Sequence, residues 1–119
     1  MDIEQLRNYC LSKAAVEETL PFGPDVLVYK VAGKVFLLCP LDTETLQFNV
    51  KCDPDLALEL REQYASVIPG YHMNKKHWNT ILADSTIPGK KIKEWIDHSY
   101  DLVVDSLPKK AREAIKKQS

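Results

Sequence analysis

The stretch that decides the fold is VLVYKV-AG-KVFLLC, which occupies residues 26–39. Two runs rich in β-branched and aromatic residues flank a short turn that contains Gly33, an arrangement typical of a β-hairpin. After Pro40 and a polar turn comes LQFNVK (residues 46–51), in which apolar and polar residues alternate strictly. Such alternation is expected of a strand with one face in water. The sequence therefore predicts a three-stranded antiparallel meander.

A helix is predicted before this meander. Asp2 and Gln5 have the spacing of a capping pair, in which each side chain satisfies a backbone N–H at the helix start. Apolar residues then recur three or four positions apart, as one stripe of a helix requires, at Ile3, Leu6, Cys10 and Ala14. The helix is predicted to end near Glu18, because the PFGP segment (residues 21–24) contains two prolines and a glycine. The apolar stripe is expected to pack on the sheet.

A second helix is predicted to follow the meander. Asp53 can cap it, and Pro54 stands at the first helical position, where its missing N–H costs nothing. One face of this helix carries apolar or aromatic residues, at Leu56, Leu60 and Tyr64. The helix is expected to end by about Ser66.

The segment PGYHMNKKHW (residues 69–78) brings together aromatic residues, two of the three histidines and a basic pair. The residues after the basic pair again have strand composition, so the dipeptide Asn74-Lys75 is placed to turn a second hairpin. This turn would carry Lys75 and Lys76 to solvent. Trp78 is expected to be anchored in the core, because its large apolar surface favours burial.

The longest helix is predicted in the C-terminal part of the chain. Helical spacing holds over four turns at Ile92, Trp95, Ile96, Ser99, Leu102, Val103 and Leu107. Lys90, Lys91 and Lys93 lie at its start, where the helix dipole disfavours positive charge unless an anion or a carboxylate is near. Pro108 interrupts the pattern, and the short basic helix that follows (residues 109–117) is expected to fray.

Together these elements predict one α+β domain over residues 1–119, in the order α-β-β-β-α-β-β-α with a short terminal helix. Its antiparallel sheet is expected to be covered on one face by the first and third helices. A chain of 119 residues with 45% hydrophobic and 28% charged residues can bury one core. No apolar run approaches the roughly 20 residues of a membrane-spanning helix, and the N-terminus lacks the pattern of a secretory signal. A cytoplasmic protein is therefore expected.

No catalytic or metal-binding motif stands out. The widely spaced Cys10, Cys39 and Cys52 have core-type neighbours and predict buried free thiols rather than disulfides or a metal knuckle. His72 and His77 are five residues apart, which is not a zinc spacing on a helix, so hydrogen bonding at a rim is expected. The first helix has too few carboxylates to form a metal-binding ridge. Any pairing of a histidine with a tyrosine or a cysteine depends on distances in the fold, and no enzyme is predicted.

A set of short phrases stands out along the chain: Pro21-Phe22-Gly23, Gly33-Lys34-Val35-Phe36, Pro69-Gly70-Tyr71-His72-Met73-Asn74-Lys75, His77-Trp78, Ser99-Tyr100 and Leu107-Pro108-Lys109-Lys110. With these phrases the chain resembles the MmcQ/YjbR family of small bacterial proteins over nearly its whole length. That family is similar in fold to the frataxin/CyaY class, in which helices pack on one face of an antiparallel sheet. The resemblance implies a double-wing arrangement proposed to bind DNA, with wings at residues 26–39 and about 69–82. It implies no catalytic residue and no cofactor.

Charge is divided unevenly along the chain. Residues 1–68 carry six basic and eleven acidic side chains, whereas residues 69–119 carry ten basic and six acidic ones. A basic half can mark a surface for nucleic acid or for an acidic partner. The formal net charge of −1 predicts that any such binding is local or weak.

The leading functional hypothesis is non-enzymatic recognition of DNA, in which lysines contact phosphates and aromatic side chains stack or enter a groove. The candidate binding residues are Tyr71, His72, Asn74, Lys75, Lys76, His77, Lys90, Lys91, Lys93, Lys109 and Lys110, with Arg112 and Trp78 beside them. One alternative is a solvated lysine face without a partner. Another is an interaction module, in which a cleft between the hairpins and the loop at residues 21–23 holds a protein segment or a small anionic molecule. A monomer without a cofactor, a metal or a membrane contact is expected.

Overall fold

Six antiparallel strands in one sheet and four helices make up the computed structural model, which describes residues 1–70 and 73–118. The helices are α1 (Ile3–Leu11), α2 (Pro54–Gln63), α3 (Gly89–Asp105) and α4 (Lys109–Gln118). The strands are β1 (Val16–Thr19), β2 (Val26–Val31), β3 (Lys34–Pro40), β4 (Gln47–Lys51), β5 (Val67–Pro69) and β6 (Trp78–Leu82). Their order across the sheet is β1-β2-β3-β4-β6-β5, and all neighbours pair antiparallel. The predicted α+β class with an antiparallel sheet is confirmed.

The predicted hairpin over residues 26–39 is formed by β2 and β3. Its turn residues Ala32 and Gly33 have φ angles of 50° and 80°, the left-handed pair that a two-residue turn needs to match the twist of the strands. Gly33 adopts this conformation without strain, whereas Ala32 adopts it at a cost because of its Cβ atom. A shift in the register of this pair lets both Phe36 and Leu37 be buried in the core.

The first helix is shorter than predicted, and a strand takes its place. The capping pair is confirmed, because Asp2 and Gln5 each accept a hydrogen bond from the backbone N–H of the other. The helix, however, ends at Leu11, and residues 16–19 form the edge strand β1. Ala15 between them has a φ of 61°, which is incompatible with a continuing right-handed helix. The observed order is therefore α-β-β-β-β-α-β-β-α-α.

Glu18 ties β1 to α1 and β2. Its carboxylate accepts hydrogen bonds from Nε and Nη2 of Arg7, both at 3.0 Å, and from the hydroxyl of Tyr29 at 2.7 Å. Tyr29 is fully buried, so Glu18 supplies the partner that its hydroxyl requires. The hydrogen bonds from Arg7 hold the pKa of Glu18 below its usual value, and burial together with Glu18 raises the pKa of Tyr29.

Replacing Glu18 with glutamine is expected to make stability less sensitive to acid. The pKa of Glu18 is lower in the folded chain, so its ionised form favours folding above the unfolded pKa of about 4.3. That contribution is lost as pH falls through the folded pKa. The difference in free energy of unfolding between the wild type and Glu18→Gln should be constant near neutral pH and shrink below about pH 4 in urea titrations. Glu17→Gln, at an exposed neighbouring position, is the control, and an equal pH dependence there would contradict this role.

All four helices contribute to one core on the same face of the sheet. α3 packs on β2, β3 and β4, α1 packs on β1, and α2 packs on β5. The prediction that the first and third helices cover this face is confirmed, and α2 and α4 add Leu60 and Ile115 to the core. Because Ile115 is buried, α4 is anchored and the expectation of a fraying helix is wrong. The opposite, helix-free face carries the alternate strand positions, among them Val28, Leu38, Asn49 and Thr80.

The three cysteines are buried free thiols, as predicted. Burial raises the pKa of Cys10 to about 12 and the pKa values of Cys39 and Cys52 to about 11. Within the described chain, no helix has the length and apolar character needed to cross a bilayer.

Candidate functional site

The predicted second hairpin is formed by β5 and β6, and the β5–β6 loop comprises residues 70–77. It is an eight-residue connection rather than the tight turn predicted. The loop closes where the N–H of Gly70 donates to the carbonyl of Trp78 at 2.9 Å. A Cβ atom at residue 70 would lie 2.8 Å from the Cβ of Trp78, so this approach requires glycine. Tyr71 and His72, two of the predicted binding residues, belong to the loop but lie outside the described residues.

Asn74 and His77 order the tip and the exit of the β5–β6 loop. Oδ1 of Asn74 accepts the N–H of Lys76 at 3.0 Å, and its carbonyl accepts the N–H of His77 at 3.1 Å. The carbonyl of His77 in turn accepts the N–H of Cys52 at 2.7 Å, which ties the loop to the start of α2. The side chain of His77 is half-buried, and hydrogen bonding by its ring stays a prediction.

Arg61 of α2 holds the loop from beneath. Its Nε donates to Oδ1 of Asn79 at 2.7 Å, and its Nη2 donates to the carbonyls of Lys75 and Trp78, the latter at 3.3 Å. Asn79 is buried, and its amide nitrogen also donates to the carbonyl of Ala57 at 3.4 Å. One guanidinium therefore fixes both the strand and the loop that carries the basic pair.

Lys75 and Lys76 are exposed, as predicted. Neither is paired with a carboxylate of residues 1–70 or 73–118. Lys51 of β4 is the cross-strand neighbour of Trp78, so a third lysine lies beside the β5–β6 loop. Lys51, Lys75 and Lys76 therefore place three positive charges near residues 74–78, where hydrogen bonds hold the backbone.

The prediction that Trp78 is anchored in the core is wrong. Trp78 is half-buried, and its place in β6 falls on the helix-free face, because Asn79 and Ile81 occupy the core-facing positions. Trp95, by contrast, is buried in the core as predicted, with its ring 5.2 Å from the ring of Tyr64 in an edge-on arrangement. An aromatic surface thus lies next to the basic loop.

The predicted basic residues are divided between two ends of the sheet. α3 starts beyond the Leu82 end of β6 and packs on β3 and β4. It runs towards the β5–β6 loop, because Nε2 of His98 accepts the N–H of Asp53 at 3.1 Å, just after the end of β4 that pairs with Trp78. The loop lies at the Trp78 end of β6, about 16 Å from the Leu82 end for a five-residue strand. Three predicted residues lie in the first turns of α3, beyond the Leu82 end: Lys90, Lys91 and Lys93.

Lys109 and Lys110 are exposed in the first turn of α4. Nζ of Lys109 lies 4.0 Å from the carboxylate of Glu113. Because α3 extends beyond His98 to Asp105, α4 begins on the side of the molecule that carries the β5–β6 loop.

A groove of about 830 Å³ separates α1 from the first half of α3. The hydroxyl of Tyr9 donates to Asp97 at 2.6 Å, and the hydroxyl of Tyr100 donates to the carbonyl of Ala14 at 2.6 Å. Lys13 pairs with Asp97 at 2.5 Å and lies 5.1 and 5.0 Å from the ring centroids of Tyr9 and Tyr100. Burial and the Asp97 carboxylate raise the pKa of Tyr9 to about 12, so Tyr9 remains a hydrogen-bond donor at neutral pH.

The lysines of α3 differ in their partners. Lys91 pairs with Glu94 at 3.4 Å, whereas the Nζ of Lys93 lies 5.3 Å from the ring centroid of Tyr9. Lys90 is exposed, and neither Lys90 nor Lys93 has a carboxylate partner in the part of the chain that the structure describes. The helix dipole disfavours positive charge at this end of α3, and no carboxylate of the described residues pairs with Lys90 or Lys93.

Sequence reasoning missed Arg61, Tyr9 and Asp97. Arg61 adjoins the apolar Leu60 in α2, and this neighbour was the available signal that the guanidinium lies near the core edge. Tyr9 and Asp97 are 88 residues apart, so only the fold brings them together. In the described residues, no cluster of three or more His, Cys, Asp or Glu side chains could hold a metal ion.

Comparisons with known proteins agree on one family. A model of the YjbR family matches residues 11–102. The uncharacterized protein YbdF of Escherichia coli O157:H7 is 35% identical over 95% of this chain and 93% of its own length. The uncharacterized protein YjbR of Escherichia coli K12 is 30% identical over 97% of this chain and 98% of its own length. The crystal structure of Deinococcus radiodurans DR2400, a DUF419 domain, superposes with a TM-score of 0.91 at 33% identity, covering 96% of this chain and 87% of that one. The crystal structure of a Pseudomonas syringae protein superposes with a TM-score of 0.75 at 27% identity, covering 86% of this chain and 98% of that one.

Proposed function

The chain belongs to the YjbR family, and we propose that it is a non-enzymatic DNA-binding protein whose β5–β6 loop contacts the phosphate backbone. The observation that carries this proposal is the exposed pair Lys75 and Lys76, whose backbone is held by Arg61 at the Lys75 carbonyl and by Asn74 at the Lys76 N–H. In the double-wing arrangement that the family resemblance implies, this loop is the tip of the second wing.

The charge of this surface supports phosphate contacts. Lys75 and Lys76 are free of carboxylate partners among the described residues, and Lys51 adds a third charge on the neighbouring strand. Lysine contacts to phosphates release condensed counterions and provide affinity without reading sequence. Arg61, the arginine nearest to the loop, is engaged by protein oxygens and is not free for bidentate contact with a guanine. The proposed binding is therefore salt-sensitive and weakly dependent on sequence.

Preorganisation of the loop supports the same function. The described part of the loop is held by hydrogen bonds: Gly70 donates to the carbonyl of Trp78, Asn74 accepts the N–H of Lys76, and Arg61 donates to the carbonyls of Lys75 and Trp78. A loop that is already ordered loses less conformational entropy when it binds. Trp78, half-buried on the helix-free face beside Lys51, adds an aromatic surface that can pack against a sugar or an exposed base.

The absence of enzymatic activity is part of the proposal. The three thiols are buried and their pKa values are raised to about 11 or 12, so they do not supply a thiolate nucleophile at neutral pH. The hydroxyl of Tyr9 donates to Asp97 and that of Tyr29 donates to Glu18, and the pKa of each phenol is raised. Among the described residues, these groups are arranged for hydrogen bonding within the fold rather than for proton transfer to a substrate.

The variant Lys75→Glu plus Lys76→Glu tests the proposal. Fluorescence anisotropy with duplex DNA is expected to show binding at low salt that weakens as salt rises, and the double variant should lower the affinity roughly tenfold to a hundredfold. The slope of log K against log salt should fall by about two, one for each lost phosphate contact.

The matched control is Lys116→Glu plus Lys117→Glu, which changes the net charge equally near the end of α4. This control should bind DNA nearly as the wild type does. Lack of wild-type retention at low salt would overturn the proposal. Equal losses in the two double variants would show a general charge effect and would also remove the β5–β6 loop from the interface.

A second candidate function is recognition of a small anionic molecule. The observation that favours it is the groove between α1 and α3 with two lysines that have no carboxylate partner in the described chain. Lys90 and Lys93 lie in the first turns of α3, beyond the Leu82 end of β6 and away from the β5–β6 loop, so the two candidates can be tested separately.

A further inference from the structure

We propose that the groove between α1 and α3 binds a small organic anion, with its phosphate or carboxylate group at Lys90 and Lys93 and its apolar part along Tyr9. The site is separate from the DNA-contacting loop and does not depend on it. The inference stands on the shape of the groove, on the balance of charge along its walls and on the aromatic surface within it.

The shape of the groove suits a small ligand. Its volume of about 830 Å³ falls within the range of about 300 to 1,000 Å³ that is usual for small-molecule sites. The Tyr9–Asp97 hydrogen bond joins α1 to α3, and the Tyr100–Ala14 hydrogen bond joins α3 to the segment that follows α1, so the groove is preformed. A concave space between two helices suits a compact molecule better than the convex surface of a duplex.

The charge of the groove is positive although two carboxylates line it. Asp97 is neutralised by Lys13 and accepts the Tyr9 hydroxyl, and Glu94 is paired with Lys91. Lys13 and Lys91 do not line the groove themselves. Lys90 and Lys93 therefore remain as two lining cations without a carboxylate partner among the described residues.

The position of Lys93 points to a ligand that is both anionic and apolar. Its ammonium group lies 5.3 Å from the ring centroid of Tyr9, so a cation and an aromatic surface are adjacent within one groove. Asn8 lines the same wall with an exposed amide that makes no hydrogen bond within the described chain, and this amide can donate to or accept from a bound molecule. A ring or short chain that carries one phosphate or carboxylate combines these requirements.

The test is a titration of the ¹⁵N-labelled protein, followed by NMR chemical shifts, with three probes at millimolar concentration. Phenyl phosphate carries both the anion and the apolar ring, inorganic phosphate carries the anion alone, and phenol carries the ring alone. Phenyl phosphate is expected to give saturable shifts at Tyr9, Lys93 and their neighbours, and to bind at least about fivefold more tightly than either partial probe. Shifts that do not saturate, or that fall on the β5–β6 loop instead, would overturn the proposal.

Two double variants separate this site from the proposed DNA surface. Lys90→Glu plus Lys93→Glu should lower the affinity for phenyl phosphate at least about tenfold and leave DNA binding nearly unchanged. Lys75→Glu plus Lys76→Glu should have the reverse effect. If the groove variant unfolds, Lys93→Gln serves in its place, with circular dichroism as the check on folding. Displacement of phenyl phosphate from the groove by duplex DNA would assign these lysines to the nucleic acid and reject the small-molecule site.

Discussion

Replacing Ser99 with alanine is expected to lower the free energy of unfolding by about 2 kcal/mol. Ser99 is fully buried in α3, and its Oγ donates to the carbonyl of Phe36 at 2.5 Å and accepts the N–H of Lys51 at 2.8 Å. The pairing of β3 with β4 includes Leu37 and Val50, so Phe36 and Lys51 stand at the next position of the ladder. The serine hydroxyl thus bridges the two strands at a position where they would otherwise hydrogen-bond to each other directly, and it acts as a rung of the sheet.

Without this hydroxyl, one carbonyl and one N–H in the interior lose their partner, at about 1 to 3 kcal/mol for each group that stays unsatisfied. The better helix propensity of alanine recovers only about 0.5 kcal/mol. Urea unfolding followed by circular dichroism measures the difference.

Ser106→Ala is the control for Ser99→Ala, because Ser106 is exposed at the end of the same helix and its Oγ donates to the carbonyl of Val103. Its effect is expected to stay within about 0.5 kcal/mol. If Ser99→Ala costs no more than this control, the hydroxyl does not act as a rung of the sheet. A matching loss in both variants would point to helix α3 alone rather than to its junction with β3 and β4.

The elements with clear local signals could be predicted from the sequence. The hairpin at residues 26–39 follows from its runs of β-branched residues and from Gly33, and the start of α2 follows from Asp53 and Pro54. In each case the deciding interaction lies within a few residues of the chain, such as the hydrogen bond that the N–H of Leu56 donates to the Asp53 carboxylate at 3.2 Å. Local physical chemistry is sufficient there.

β1 could not be predicted in this way. Its partner β2 and the Tyr29 hydroxyl that binds Glu18 come later in the chain, whereas the residues before it continue a helical apolar pattern through Ala14. The helix ends because Ala15 takes a left-handed conformation. Neither glycine nor asparagine, the residues that usually indicate this conformation in a sequence, stands at this position. Tertiary pairing prevails over local pattern at this point.

The second error concerns which side chains of β6 point into the core. The size of Trp78 predicts burial in the core, yet side chains alternate between the two faces of β6 and it is Asn79 that points inward. Burial of Asn79 is possible only because Arg61 and the carbonyl of Ala57 satisfy its amide. The polar partner that decides the strand's orientation lies 18 residues away in α2.

The candidate site was predictable only in part. A turn rich in lysine predicts exposure, and Lys75 and Lys76 are exposed. Whether Lys90 and Lys93 share their surface depends on the direction of α3, which is fixed by contacts such as that between His98 and Asp53, 45 residues apart. Because the first turns of α3 lie beside α1, Lys90 and Lys93 line a separate groove between these two helices.

Replacing Arg61 with leucine is expected to weaken DNA binding although it removes no charge from the loop itself. The guanidinium holds the carbonyls of Lys75 and Trp78 and the side chain of Asn79. Its loss leaves the Oδ1 of Asn79 without its arginine donor in a residue that is only 1% exposed, which costs about 1 to 3 kcal/mol of stability. The carbonyls of the loop can then bind water instead, so the loop becomes less ordered. A less ordered loop loses more conformational entropy when it binds DNA.

Arg61→Lys separates geometry from charge, because lysine keeps the positive charge but lacks the planar fork that reaches several acceptors at once. We expect this variant to lose stability and DNA affinity in the same direction as Arg61→Leu. Lys91→Leu, which removes one exposed charge from the first turn of α3 beyond the Leu82 end of β6, is the control and should change DNA affinity little. If Arg61→Lys binds DNA as the wild type does while Arg61→Leu does not, charge beneath the loop is the cause. If both variants are destabilised and still bind normally, ordering of the β5–β6 loop is unnecessary for DNA contact. Loss of affinity in both Arg61 variants, with Lys91→Leu unaffected, assigns to Arg61 the positioning of the lysines rather than a phosphate contact of its own.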